Sequence, residues 1–246
     1  MFTVRNDKDL ERVPEGTESI MCYGASINSF FKLPKIKSLK SVTCDNSGIG
    51  SLKYLPDSVT TISCSGCTYL VEVEDLPSSL ENLICNECGI LEAVKLPNNL
   101  QNASFDGCRM LHDLGVLPKN LEELRVPNTA VISLLGIQET NLRVLDISST
   151  NINSLSELFK SGLEVLIASD LYLSNDDCLA LIPSSLTCLD LTDTYVEDEE
   201  FSIPLKFFFV KDLTMNQEML DANNVFRYKL QYEQMGKKSF GRLRDL

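Results

Sequence analysis

A nine-residue pattern recurs along the chain at a nearly fixed interval, and this limits the possible folds more than any other feature. The segments LENLICNEC from Leu80, LEELRVPNT from Leu121, LRVLDISST from Leu142 and LTCLDLTDT from Leu186 align without gaps. Looser copies begin at Thr17, Leu39, Val59, Leu100, Leu163 and Leu205, and a partial copy uses Phe2 and Val4. Successive copies are 19 to 23 residues apart, mostly 20 or 21. A period this short means one supersecondary unit per copy, each burying its apolar wedge only against its neighbours. Within a copy, apolar positions 4 and 6 alternate with polar ones, which is the period of a strand. About eleven such strands at ~4.8 Å spacing make a curved rod of roughly 50 Å.

The pattern L-x-x-L-x-L-x-x-(N/C/T) resembles the leucine-rich repeat over about residues 2–213. The lead-ins LPDSV, LPSSL, LPNNL, LPKNL and IPSSL, with their short period, are similar to the bacterial subclass found in secreted effectors. The resemblance implies an α/β repeat solenoid: a horseshoe with short parallel strands on the concave face and little helix on the convex face. The Pro of each lead-in stops a helix and favours extended backbone on the return path. Residues 214–246 change character. Met215, Met219, Ala222, Phe226 and Leu230 fall on one helical face, and Thr214 with Gln217 matches a capping box. Open solenoids need caps, so this segment is expected to form a C-terminal capping helix followed by a basic tail. No helical cap is expected at the N-terminus, leaving Phe2 and Val4 poorly covered unless a longer chain or a dimer shields them.

Cys64, Cys67, Cys85 and Cys88 spell C-x2-C, a 17-residue spacer and C-x2-C, the spacing of a four-thiolate zinc site. The repeat register accounts for the same spacing. Cys22, Cys44, Cys64 and Cys85 occupy position 6, where other copies have Phe105, Val126, Ile147 and Leu191. Cys67, Cys88 and Cys108 occupy position 9, where other copies have Thr129, Thr150 and Thr194. Each C-x2-C is one repeat unit whose thiols point into the solenoid as small hydrophobes. No metal and no cofactor is expected, and burial should leave these thiols inert. Position 9 is normally Asn in leucine-rich repeats, so Cys or Thr departs from the bacterial pattern.

The net charge of −13 argues against nucleic acid and against anionic membrane surfaces as partners. The start of the chain lacks an apolar signal region and no apolar run is long enough to span a bilayer, so a reducing cytoplasmic compartment is expected. In a secreted effector that compartment would be the host cytosol. The lone His112 and the lack of a nucleophile–base pair or phosphate loop speak against an enzyme. Cys188-Leu189-Asp190 matches the Cys-x-Asp of leucine-rich bacterial ubiquitin ligases, but it falls on a repeat strand.

Outward positions 3, 5, 7 and 8 form the concave sheet, the usual binding face of the family. Its C-terminal half carries Asp146, Asp170, Asp190 and Asp193, then Phe207 and Phe209. Aromatic anchors beside directed charge suit a basic peptide or protein. An acidic, solvated face that discourages aggregation fits the same residues. The expected role is that of a non-enzymatic interaction module, a scaffold or adaptor. The alternatives are a bacterial effector acting inside a host cell and the substrate-recognition part of a larger ubiquitin-ligase-like protein.

Overall fold

A computed structural model of the chain describes residues 1–92, 96–158, 161–173, 183, 185–196 and 207–209. The expected C-terminal cap and basic tail over 214–246 lie outside the described residues.

Positions 3 to 5 of every full copy form a three-residue strand, the partial first copy gives a two-residue one, and Tyr172–Leu173 and Tyr195–Val196 are short extra strands. In chain order the strands are β1 (Phe2–Thr3), β2 (Ser19–Met21), β3 (Ser41–Thr43), β4 (Thr61–Ser63), β5 (Asn82–Ile84), β6 (Asn102–Ser104), β7 (Glu123–Arg125), β8 (Val144–Asp146), β9 (Val165–Ile167), β10 (Tyr172–Leu173), β11 (Cys188–Asp190), β12 (Tyr195–Val196) and β13 (Phe207–Phe209). Eleven of them build one parallel sheet in the order β1 to β9, β11, β13, while β10 and β12 pair separately. Parallel neighbours need a crossover, which is most often a helix. A period of about 20 residues leaves little room for one, and the described return paths hold a one-turn helix at Asp7–Leu10, the 3-10 turns Ile137–Glu139 and Ser156–Leu158, and the short strands β10 and β12.

The register follows the sequence alignment residue by residue. Ile20 pairs with Val42, Val42 with Ile62, Ile62 with Leu83 and Leu83 with Ala103. The column continues through Leu124, Leu145, Leu166 and Leu189 to Phe208. Leu83, Leu124, Leu145, Leu166 and Leu189 are 0% exposed, as are the position-6 residues from Cys22 to Leu191. Where position 4 shrinks to Ala103, position 6 of the same copy enlarges to Phe105, which keeps the core volume nearly constant.

The Leu-Pro lead-in forms a turn. The carbonyls of Pro56, Pro77, Pro97, Pro118 and Pro183 accept from the backbone N–H of Val59, Leu80, Leu100, Leu121 and Leu186 at 3.0–3.1 Å. Each bond closes a four-residue turn that delivers position 1 into the next strand. The lead-in is therefore a corner, where the sequence pattern suggested an extended return path.

The N-terminus differs from expectation. A short helix α1 (Asp7–Leu10) follows β1, and its N-cap Asn6 accepts from the backbone N–H of Lys8 and Asp9 at 3.0 and 3.3 Å. Asp9 reaches back to the N–H of Arg5, the residue before the cap, at 2.9 Å. Leu10 and Val13 are buried over the first turn, Val4 is 1% exposed, and Phe2 is partly buried against the core.

Candidate functional site: the concave sheet and its rim

The geometry of the rim follows from backbone hydrogen bonding just after each strand. The N–H at position 6 donates to the position-5 carbonyl of the next copy, for example Cys85 to Ser104 at 2.9 Å and Val126 to Asp146 at 2.8 Å. The N–H at position 8 donates to the next position-7 carbonyl, as Asn128 does to Ser148 and Asp170 to Thr192, both at 2.9 Å. The N–H at position 7 is left without a ladder partner, and a polar backbone group in that state needs another acceptor.

Short acidic and amide side chains supply it in two ways. Asp45 accepts from Ser65 N–H at 2.8 Å and from the Ser63 hydroxyl at 2.7 Å, both one copy further on. Asn86 does the same for Asp106 N–H at 3.0 Å and the Ser104 hydroxyl at 2.7 Å. Further along, the acceptor moves to position 5 of the same copy. Asp146 Oδ1 accepts from Ser148 N–H at 3.0 Å and its hydroxyl at 2.7 Å. Asp190 Oδ1 accepts from Thr192 N–H at 2.9 Å and its hydroxyl at 2.5 Å. At Pro127 the position-7 donor is absent altogether.

Position 8 has its own constraint. In every described full copy it has a positive φ: Gly24, Asn46, Gly66, Glu87, Gly107, Asn128, Ser149, Asp170 and Asp193 lie between 53° and 70°. This left-handed region favours Gly, Asn and Asp. The αL turn tips position 8 off the sheet face and onto its rim, so Asp170 and Asp193 are exposed there. Ser149 donates to Asp170 Oδ2 at 2.8 Å.

The four aspartates thus occupy two kinds of place. Asp170 and Asp193 stand on the rim, while Asp146 and Asp190 lie along the sheet and hold the turns. Asp190, at a position expected to face solvent, is 1% exposed, and its neighbours Cys188 and Ile167 are 6% and 2% exposed. Burial raises the Asp146 carboxyl above its ordinary value, against the hydrogen bonds from Ser148 that lower it. β13 places Phe207 in register with Cys188 and Phe209 with Asp190.

Between them the strands shape a polar depression of about 360 Å³, walled by Ser104, Asp106, Arg125, Asp146 and Ser169 among others. Asp106, Asn128 and Ser149 also wall a second hollow of about 840 Å³. Two cations line these hollows. Arg125 Nε donates to Glu123 at 2.5 Å, and Arg109 lines the larger hollow beside Glu87 and Asp106.

The cysteines take the places the register gives them. The eight described ones are free and buried. Burial pushes the thiol of Cys22 up to about 12 and those of Cys85 and Cys188 up to about 11. For these three this is the reverse of what a nucleophilic thiol needs. Hydrogen bonds with Cys108 and Cys64 pull the Cys88 thiol the other way, against burial, while its place 3.1 Å from the Cys64 carbonyl suits only the protonated form. At position 9 the thiols do more than fill space. Cys67, Cys88 and Cys108 donate to the carbonyls of Cys44, Cys64 and Cys85 at 3.1, 3.1 and 2.9 Å, each one copy back. Thr194 does the same toward Ala168 at 2.6 Å, and Thr129 bonds the Val126 carbonyl of its own copy at 2.7 Å. Cys and Thr are thus the donors that hold the turn where leucine-rich repeats usually carry Asn. His112 is exposed on the outer side, its Nε2 3.8 Å from Glu92. Among the described residues no helix is long and apolar enough to cross a membrane.

A parallel one-strand-per-copy solenoid with Leu-rich wedges and a turn-bonding position 9 is the leucine-rich-repeat fold. An internalin (inlF) from Listeria monocytogenes has this fold with a TM-score of 0.55 at 15% identity, over 78% of this chain and 64% of its own. The chain thus spans less than two thirds of that internalin's length. A leucine-rich repeat protein from Bacteroides ovatus matches at 18% identity and a TM-score of 0.37, over 75% of this chain and 65% of its own. YopM from Yersinia enterocolitica matches at 18% and 0.35, over 83% and 60%. No family profile and no curated protein matches the sequence.

Proposed function

We propose that the protein is a non-enzymatic interaction module that binds a protein or peptide with basic character on its concave sheet and rim. One observation carries the reading: the fold lines up solvent-facing side chains from successive copies on one curved surface, and the acids there outnumber the cations. Arg125 is tied to Glu123, and Arg109 stands beside Glu87 and Asp106. Asp106, Asp146 and Asp170 leave a field of negative sign, which steers cationic partners and sets the salt dependence of their encounter. Phe207 and Phe209, in register with the end of that surface, are the proposed apolar anchors. Asp190 and Asp193 complete the proposed contact region.

A second reading, an effector of bacterial origin acting in the cytosol of a host cell, is favoured by the (Leu/Ile)-Pro corners, which recur five times as Pro-x-x-(Leu/Val) turns.

The test is kinetic. A photo-crosslinking residue at Ser104, which is half-buried on the sheet face, compared with one at Glu92 on the outer side, identifies a partner that touches the concave sheet. Binding of that partner is then measured with Asp146→Asn plus Asp170→Asn, and with Phe209→Ala. The charge pair should slow association, with the effect shrinking as salt rises, and Phe209→Ala should speed dissociation. Capture only from Glu92, or kinetics unchanged in both variants, would refute the concave-face reading.

A further inference from the structure

The position-6 column places four cysteines in consecutive copies, Cys22, Cys44, Cys64 and Cys85, all 0% exposed. In the middle of that column Cys64 Sγ and Cys85 Sγ lie 3.0 Å apart. The two belong to adjacent parallel strands in register, since Ser63 pairs with Ile84 and Cys64 N–H donates to the Ile84 carbonyl at 2.8 Å. Neighbouring strands are ~4.8 Å apart, which lies within the Cα separations a disulfide accepts. Cys44 flanks Cys64 on its other side, since Thr43 pairs with Ser63 and Cys44 N–H donates to the Ser63 carbonyl at 2.7 Å, and Cys88 donates to the Cys64 carbonyl at 3.1 Å, so the thiol is enclosed by cysteines and backbone. A core that needed only volume here would be served by the Val126 and Ile147 of later copies.

We propose that Cys64 and Cys85 form an oxidative modification site, a reversible covalent staple between the fourth and fifth turns of the sheet. A small peroxide is the oxidant. It takes one thiol to the sulfenic acid with release of water, and the second thiol displaces the hydroxyl with release of a second water. Two S–H bonds and the peroxide O–O bond are thereby exchanged for one S–S bond and two waters. The staple closes a loop of about 20 residues and restrains the unfolded chain, so it stabilises the solenoid. Burial keeps both thiols protonated and away from solvent, so reaction is gated by local opening of the turns. The site therefore stays reduced in the closed solenoid and oxidises when neighbouring turns separate.

The test exposes the folded full chain to hydrogen peroxide without and with sub-denaturing urea. Remaining thiols are then blocked in denaturant, and the linked peptides are mapped by mass spectrometry. The expected product is a Cys64–Cys85 linkage that forms slowly in buffer and faster in urea. The oxidised chain should show a higher denaturant midpoint, which reverts with dithiothreitol. In Cys85→Val that linkage and the midpoint gain disappear, or the link passes to Cys44 or Cys88, the other cysteines beside Cys64. Thiols that stay unmodified even in urea, linkage mainly to Cys188 or Cys178, or over-oxidation without any linkage would each overturn the proposal.

Discussion

Asp146 and Ser148 are joined twice: one carboxylate oxygen accepts both the backbone N–H at 3.0 Å and the hydroxyl at 2.7 Å. The aspartate is therefore part of the turn as well as part of the face. Asp146→Ala should cost about 0.5–1.5 kcal/mol, because Ser148 loses its acceptor. Asp146→Asn keeps an acceptor oxygen and removes the charge. Since burial raises the folded carboxyl, the folded chain holds that proton more tightly than the unfolded chain. The stability this contributes is fully present below the unfolded carboxyl value of about 3.9 and is lost as pH rises through the folded one. Relative to the parent, Asp146→Asn should thus gain stability as pH rises across that window. Urea midpoints at acid and neutral pH check this, and a relative loss for Asn with rising pH contradicts it.

The register makes a sharper demand one residue earlier. Leu145 is 0% exposed in the position-4 column, between Leu124 and Leu166. Leu145→Ala should destabilise by about 2–5 kcal/mol, the range for a buried leucine whose cavity cannot fully collapse. Its midpoint in denaturant should fall well below that of Asp146→Ala. Equal midpoints would mean that inward and outward positions have been exchanged.

Position 8 predicts changes of opposite sign. Gly66 has φ +70°, and a Cβ there would lie 2.3 Å from Asn46 Oδ1. The Asn46 amide can turn aside, but the backbone angle stays unfavourable, so Gly66→Ala should cost about 1–2 kcal/mol. Glu87 occupies the same conformation at φ 54° with a side chain poorly suited to it. Glu87→Asn brings in the residue type that holds this place at Asn46 and Asn128, and should stabilise by up to about 1 kcal/mol. Thermal melts of the two variants should shift in opposite directions.

These features were legible in the sequence to different degrees. The apolar ladder was fully so, because positions 1, 4 and 6 repeat with little chemical variation from Leu39 to Leu191. The αL turn left its trace in Gly24, Asn46, Gly66, Gly107 and Asn128, but Glu87 and Ser149 interrupt it, and the column reads at first as a binding surface. The partnership of Asp45 with Ser65, or of Asp146 with Ser148, was hidden because its cause is a backbone N–H left over by the ladder. No side-chain pattern announces that vacancy. The N-cap at Asn6 is a single local event with no repeat to reinforce it. Recognition residues are harder still, since each solvent-facing position differs from its counterparts and repetition, the source of all the other inferences, carries no information there.

Position 9 separates two accounts of the buried cysteines, as filler and as donor. Cys88 Sγ donates to the Cys64 carbonyl at 3.1 Å, in a core where that carbonyl has no access to water. Thr and Val have nearly the same shape and differ by a hydroxyl in place of a methyl group, so the pair isolates the donor. Thr194 already makes the equivalent bond to Ala168 at 2.6 Å, which shows that a threonine hydroxyl can reach. If the thiol were only a small hydrophobe, Cys88→Val would be tolerated at least as well as Cys88→Thr. If it is a donor, Cys88→Val leaves a buried carbonyl without that bond and should be less stable than Cys88→Thr by about 1–2 kcal/mol. The same contrast at position 6, where Cys85 has position-6 counterparts Val126 and Ile147, should favour Val over Thr, because a hydroxyl there would need a partner. Denaturant midpoints of the four variants decide the matter: a crossed pattern supports the donor account, and a common preference for Val at both positions refutes it.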